Sequence, residues 1–137
     1  MQRLDLKRLR TSLVGREVQL NNGFGEKVSD VIFEKTGFRP SYLVSEMYRL
    51  FDGFPEGVVD GGSCIRIWPL REVLSAVEQS ASGPRIAFAD FLMGSQEITI
   101  DITDDDQPIL YSDSGERISS STGEFLSGLA EGAFDFQ

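Results

Sequence analysis

The side chains of this chain best suited to chemistry are acidic and lie close together in sequence. They are Asp101, Asp104, Asp105, Asp106, Asp113 and Glu116. Such a cluster has three interpretations: an exposed patch for a basic partner, a site for Ca²⁺ or Mg²⁺, or a solvated turn in which Asp bonds its own backbone. The spacing lacks the alternating acids and distant glutamate of a calcium loop, which disfavours a metal.

Residues for catalysis are otherwise sparse. The chain has no histidine and one cysteine, Cys64, so one chain cannot build an imidazole base or a thiolate or imidazole zinc site. A carboxylate-dependent hydrolase is a third-ranked hypothesis. Its candidate pair, Glu97 and Asp101, lies four residues apart on a predicted strand, which separates the two backbones by about 13 Å. We therefore expect no enzymatic activity, no metal and no cofactor.

The charge of the chain is strongly asymmetric. Residues 69–137 carry three basic and thirteen acidic side chains, whereas residues 1–68 carry ten and nine. The formal net charge of −9 favours a basic partner and disfavours nucleic acid and anionic lipid. Trp68 is more typical of a core or a sheet face, yet it is also a candidate interface anchor. Phe88 and Phe91 are alternative anchors if they are exposed.

Length and composition predict one soluble domain. A chain of 137 residues fits a single domain, and no apolar run reaches the roughly 18 residues of a membrane span. A lone cysteine excludes an internal disulfide. We expect a cytoplasmic protein without a signal peptide or membrane contact. Strand edges favour a weak homodimer and the net charge favours a monomer, so both states stay open.

The elements that must position these residues change character along the chain. Apolar residues at helical spacing predict helices over 3–14, 28–36, 40–51 and 69–77. A strand at 17–20 followed by a hairpin turn at Asn22-Gly23 is predicted after the first helix. Period-two patterns and apolar runs predict strands over 64–68, 86–93, 98–102 and 108–112. Ser121 and Glu124 have capping-box spacing and open a last helix. This order predicts an α+β fold with a mainly antiparallel, twisted sheet and helices packed against it.

Several blocks of the chain resemble the SUKH immunity superfamily. They are Glu34–Tyr42, Tyr48–Phe54, Ile65–Glu72, Ile86–Leu92, Glu97–Ile102, Pro108–Tyr111 and Ser121–Leu126. The order and spacing of the blocks carry the resemblance, which runs from residue 28 to residue 134. Arg39 departs from it, since that family usually has an apolar residue before the proline. The resemblance divides the single domain 1–137 into an N-terminal extension, 1–27, and a SUKH-like core, 28–137.

The resemblance implies a function as well as a fold. Bacterial SUKH members are immunity proteins that bind and neutralise a polymorphic toxin, often a nuclease or a deaminase. A related yeast regulator of cell-wall synthesis indicates a wider use of the fold as a binding module. The leading hypothesis is a non-enzymatic immunity protein that binds a basic, nuclease-type toxin through its acidic surface. The alternative is a regulatory or scaffold module of the same fold without a toxin partner.

Overall fold

The computed structural model describes residues 6–61, 63–80, 83–91 and 95–132, with residues 78–80 described by their backbone alone. These residues form an α+β fold with five α-helices and one antiparallel sheet, which confirms the predicted fold class. The helices are α1 (Leu6–Gly15), α2 (Val28–Thr36), α3 (Tyr42–Leu50), α4 (Leu70–Ser80) and α5 (Thr122–Glu131). The strands are β1 (Ile65–Ile67), β2 (Arg85–Phe91), β3 (Gln96–Asp101), β4 (Ile109–Tyr111) and β5 (Arg117–Ser119).

The five strands pair in chain order, each antiparallel to the next. Along β3, Ile98 and Ile100 are buried, whereas Thr99 and Asp101 lie on the opposite face and are half-buried. The buried apolar residues of the strands belong to one continuous cluster with buried residues of all five helices. The helices therefore cover one face of the sheet and leave the other more polar, as alternation in an antiparallel sheet predicts.

The N-terminal segment is part of this core. Leu9 and Leu13 of α1 are completely buried, and α1 packs along α5 and against α3. Arg16, just after α1, donates to the carbonyl oxygen of Leu129 at 2.7 Å and forms an ion pair with Asp60 at 3.3 Å. Within the described residues, the extension expected over 1–27 is thus joined to the rest of the domain.

The predicted strand at 17–20 and the hairpin turn at Asn22-Gly23 are wrong. Residues 18–20 have no regular secondary structure, and Asn22 makes an isolated bridge with Phe51, far along the chain. A Cβ on Gly23 would lie 2.1 Å from the carbonyl oxygen of Arg49. Close packing against α3 requires a glycine at this position. The Asn-Gly pair looks like a turn signal in the sequence, but the reason for the glycine is this long-range contact.

Helix ends follow the predicted local chemistry closely. Gly37 ends α2 with a φ of 79°, the left-handed conformation that glycine adopts without strain. Ser121 caps α5 by accepting from the amide of Glu124 at 3.1 Å. The capping box is only half formed, because the Glu124 carboxylate accepts from the Ser120 hydroxyl. Strand β5 was not predicted, because three residues between a glycine-containing turn and a helix cap carry too little pattern.

Candidate protein interface

The central group of acidic residues lies in the connection from β3 to β4, hereafter the acidic loop (residues 101–107). Backbone and side-chain contacts of Asp105 hold this loop in place. Its Oδ2 accepts from the amide of Leu43 at 3.1 Å, and its carbonyl oxygen accepts from the amide of Thr122 at 3.0 Å. The loop is thereby tied to the N-termini of α3 and α5. A carboxylate is favoured there, because helix N-termini carry unpaired donors and partial positive charge.

Two other aspartates of the acidic loop stabilise its turns. Oδ1 of Asp101 accepts from both the amide and the hydroxyl of Thr103, and Oδ1 of Asp104 accepts from the amide of Asp106 at 2.9 Å. These are the local bonds that make aspartate common in turns. The turn interpretation therefore accounts for part of the cluster. Asp106 is exposed, and no hydrogen bond among the described residues gives its carboxylate a similar role in the turn.

Asp113 and Glu116 lie at the opposite end of the sheet. Both are exposed in the turn from β4 to β5, and the amide of the adjacent Ser112 donates to the carbonyl oxygen of Glu97, near the start of β3, at 2.9 Å. Glu97 and Asp101 are separated by about 13 Å along this strand. The structure thus does not bring the six predicted acidic residues together: it divides them into the acidic loop and a second group at the other end.

This division has a simple cause. Successive connections in an antiparallel meander fall at alternate ends of the sheet, so acids that are neighbours in sequence are separated by the intervening strand β4. The two groups are therefore two distinct surfaces.

The second group also affects a neighbouring side chain. Burial, and after it the nearby Glu116 carboxylate, raise the pKa of Tyr111.

Trp68 and the phenylalanines proposed with it have structural partners. The indole Nε1 of Trp68 donates to Oδ2 of Asp90 at 2.6 Å, and the Trp68 carbonyl accepts from the hydroxyl of Tyr48 at 2.9 Å. Phe88 is 2% exposed and packs edge-on against Phe125. Phe91 is only partly buried, but it packs against the core. Phe88 is therefore not exposed, which was the condition for its role as an anchor, and the contacts of half-buried Trp68 are with residues outside the acidic loop.

An exposed aromatic residue in the helix turn that contacts the acidic loop is Tyr42, which the sequence reasoning missed. It is 51% exposed and occupies the first turn of α3, next to Leu43, whose amide bonds to Asp105. A signal was present in the sequence. Tyr42 directly follows the helix cap Ser41 and falls outside the buried stripe that contains Val44 and Met47.

The acidic loop keeps its negative charge available. The ion pairs found among the described residues are Arg16–Asp60, Arg39–Asp30, Arg49–Glu46 and Arg66–Glu72, and none includes a carboxylate of the acidic loop or of the second group. Among the described residues, no amino-terminal arginine is therefore within ion-pair distance of either group. Oδ1 of Asp105 is buried without a hydrogen-bond partner. The loop can attract a basic surface, and its fixed backbone limits the entropy lost on binding.

The described residues contain neither a membrane-spanning helix nor a group of metal ligands. None of their helices is both long enough and apolar enough to cross a membrane. Nor do these residues include a group of three or more His, Cys, Asp or Glu side chains placed to hold a metal ion. Comparison of the chain with models of known protein families and with curated proteins finds no match. The resemblance to the SUKH superfamily therefore stays a prediction from the residue pattern.

Proposed function

We propose that this chain is a non-enzymatic protein-binding module of the immunity type, which binds a basic protein toxin through the acidic loop. The observation that carries the proposal is a run of three aspartates, Asp104 to Asp106, held at the N-termini of two helices without ion-pair partners among the described residues. A nuclease-type toxin needs a cationic groove to hold phosphates, and a rigid acidic loop complements such a groove.

The side chains of the proposed site have different roles in binding. Asp105 positions the loop through the amide of Leu43. Asp104 and Asp106 supply rim charge, which speeds association and sets specificity more than affinity. Tyr42 supplies the apolar contact area that charged rims lack, since tyrosine is among the residue types that dominate interface energies. The expected footprint is therefore the acidic loop together with the first turn of α3.

The test compares two pairs of substitutions with equal changes in charge. Asp104→Asn with Asp106→Asn removes two of the four negative charges of the acidic loop, and Asp113→Asn with Glu116→Gln removes both charges of the second group. Tagged proteins are used to capture partners from the native host, and affinity for the captured protein is then measured at low and high salt. We expect the first pair to weaken binding and reduce its salt dependence, because exposed charges are screened beyond about 8–10 Å. The second pair should bind like the wild type.

A second comparison tests the aromatic anchor. Tyr42→Ala should weaken binding of the captured protein by about 2 kcal/mol, the scale of an interface hot spot. Phe24→Ala is the matched control, because Phe24 is also exposed, at 37%, but precedes the short 3-10 helix 25–27. Equal losses from the two substitutions, or equal losses from the two acidic pairs, would place the interface elsewhere and refute the proposed site.

The immunity role and the scaffold alternative differ in what the captured partner does. If the partner stops growth when expressed alone and growth returns on co-expression with this chain, the immunity role is supported. Rescue should fail with Asp104→Asn/Asp106→Asn and persist with Asp113→Asn/Glu116→Gln. A partner that binds through the acidic loop but is harmless in isolation would favour a regulatory or scaffold module instead.

A further inference from the structure

A groove that the proposed interface does not use lies between the C-terminal part of α4 and the start of β2, and it extends onto the polar face of β3. Its volume is about 360 Å³, near the lower end of the range for small-molecule sites. Its wall includes Val77 at the C-terminal part of α4, Pro84, and Ala87 of β2. Arg85 and, from β3, Glu97 and Thr99 contribute its polar groups. The groove thus combines an apolar wall with one cation and one anion.

Arg85 differs from the other arginines that are withdrawn from solvent. In the described part of the chain, the arginines that are not exposed are Arg16, Arg49, Arg66 and Arg85. The first three each have a carboxylate within 4 Å, at 3.3, 2.9 and 2.8 Å respectively. Arg85 instead donates to neutral oxygens: the carbonyl and hydroxyl oxygens of Thr99, and the carbonyl oxygen of Pro108 at 2.9 Å. Its charge has no paired carboxylate among the described residues.

The bonds of Arg85 also leave donors unused. A guanidinium group has five N–H donors, and the recorded bonds involve Nη1 and Nη2 but not Nε. Because Nη1 lies 3.3 Å from the Thr99 hydroxyl, the guanidinium is held beside a residue that lines the groove. A half-buried guanidinium with free donors and a fixed position is well suited to a ligand carboxylate.

The carboxylate of Glu97 is the second charged group of the groove and indicates what a ligand must carry besides an anion. It is exposed and lies two residues from Thr99 on the same face of β3, which places their backbones roughly 7 Å apart. A simple anion at Arg85 would be repelled by this carboxylate. A ligand that carries both a carboxylate and an ammonium group instead offers a charge-assisted hydrogen bond to each of the two side chains.

We propose that this groove binds the zwitterionic head of a free aliphatic amino acid. The carboxylate lies against Arg85, the ammonium group against Glu97, and the apolar side chain against Val77 and Ala87. No residue of the acidic loop lines the groove, although Asp101 is the cross-strand neighbour of Arg85. The two proposals assign binding to different side chains, so either can fail without the other.

The test is an NMR titration of the ¹⁵N-labelled full chain with L-leucine and, separately, with L-leucyl-L-leucine. We expect saturable shifts of the Ala87, Thr99 and Ser112 amides, all from residues lining the groove. Leucinamide, which lacks the carboxylate, and N-acetyl-leucine, which lacks the ammonium group, should bind at least about tenfold more weakly, because each loses a charge-assisted hydrogen bond. Leucyl-leucine, whose ammonium and carboxylate groups lie on different residues, should bind more weakly than leucine, and equal or tighter binding of the dipeptide would contradict a free amino acid as the ligand.

Substitutions provide the second arm. Arg85→Gln should abolish the shifts, and Glu97→Gln should remove the preference for leucine over N-acetyl-leucine. Arg117→Gln, which removes an exposed arginine of β5 outside the groove lining, should bind like the wild type. If Arg85→Gln does not fold, the blocked ligands on the wild-type protein still decide the question. The proposal is overturned if neither probe gives saturable shifts at the groove, or if the blocked ligands bind as well as leucine.

Discussion

Breaking the ion pair between Arg16 and Asp60 should destabilise the whole domain, because it joins three distant parts of the chain. The guanidinium contacts Asp60 through two nitrogens at 3.3 Å each and also donates to the carbonyl oxygens of Leu129 and Ala130 near the end of α5. The side chain of Asp60 is 2% exposed and that of Arg16 is 30% exposed. Arg16→Met therefore leaves a buried carboxylate without its cation.

The magnitude follows from this burial. Removing one partner of a buried pair costs about 3–5 kcal/mol, and the partial exposure of Arg16 places the expected loss near the lower end, about 3 kcal/mol. That is a large part of the roughly 5–15 kcal/mol that stabilises a typical domain. Asp60→Asn should cost less, about 1–2 kcal/mol, because an amide oxygen can still accept from the Ser63 hydroxyl, which lies 2.9 Å from Oδ2.

The assay is urea unfolding of wild type, both single variants and the double variant, followed by circular dichroism and by the fluorescence of Trp68. The double variant should be more stable than the sum of the single losses predicts, by about 1–2 kcal/mol, because neither charge is then left unpaired. Arg39→Met, which removes the exposed pair with Asp30, should have a much smaller effect. Additive losses from Arg16→Met and Asp60→Asn would refute the coupling between them.

Three further substitutions test local features of the fold. Burial raises the pKa of Asp52, so its contribution to stability is present at low pH and is lost as pH rises through the folded-state pKa. Asp52→Asn should therefore gain stability relative to wild type between about pH 4 and pH 7, as measured by urea unfolding. A stability difference that stays constant with pH would contradict this origin. Gly23→Ala should destabilise the domain by more than about 2 kcal/mol, since its Cβ would meet backbone at 2.1 Å, and thermal melts should show no comparable loss for Gly61→Ala, where a Cβ meets nothing within 4 Å. Asp105→Ala should cost about 1–2 kcal/mol in chemical unfolding, because the Leu43 amide in the first turn of α3 loses its acceptor. A stability equal to wild type would show that this contact does not hold the loop.

Much of the fold could be predicted because its signals are local. Helix periodicity placed the buried stripes of α1 to α5, and Gly37 and Ser121 act at helix ends through contacts within four residues. The alternation around Ile98 and Ile100 similarly predicted a strand with one buried face. These features depend on the repeat of the backbone and on near neighbours, so a single sequence contains them.

The candidate site was predicted less completely. The acidic residues and their lack of histidine or cysteine partners were visible from composition, and so was the sign of the charge. The sequence did not show that Asp105 would bond to Leu43, 62 residues away, or that Tyr42 would lie exposed beside it. It also did not separate Asp104 from Asp113, because neighbours in sequence lie at opposite ends of the sheet only once β4 is in place.

The sequence by itself therefore determined most of the segments that form helices and strands, the buried faces of those segments, and the excess negative charge of the chain. Tertiary structure decided where that charge is concentrated and which glycines are indispensable. It also decided that Arg85 lacks the carboxylate partner that the other buried or half-buried arginines of the described residues have. The physical reason is range. Backbone periodicity and helix caps act over a few residues, whereas loop placement and charge pairing depend on contacts between segments that the chain brings together only on folding.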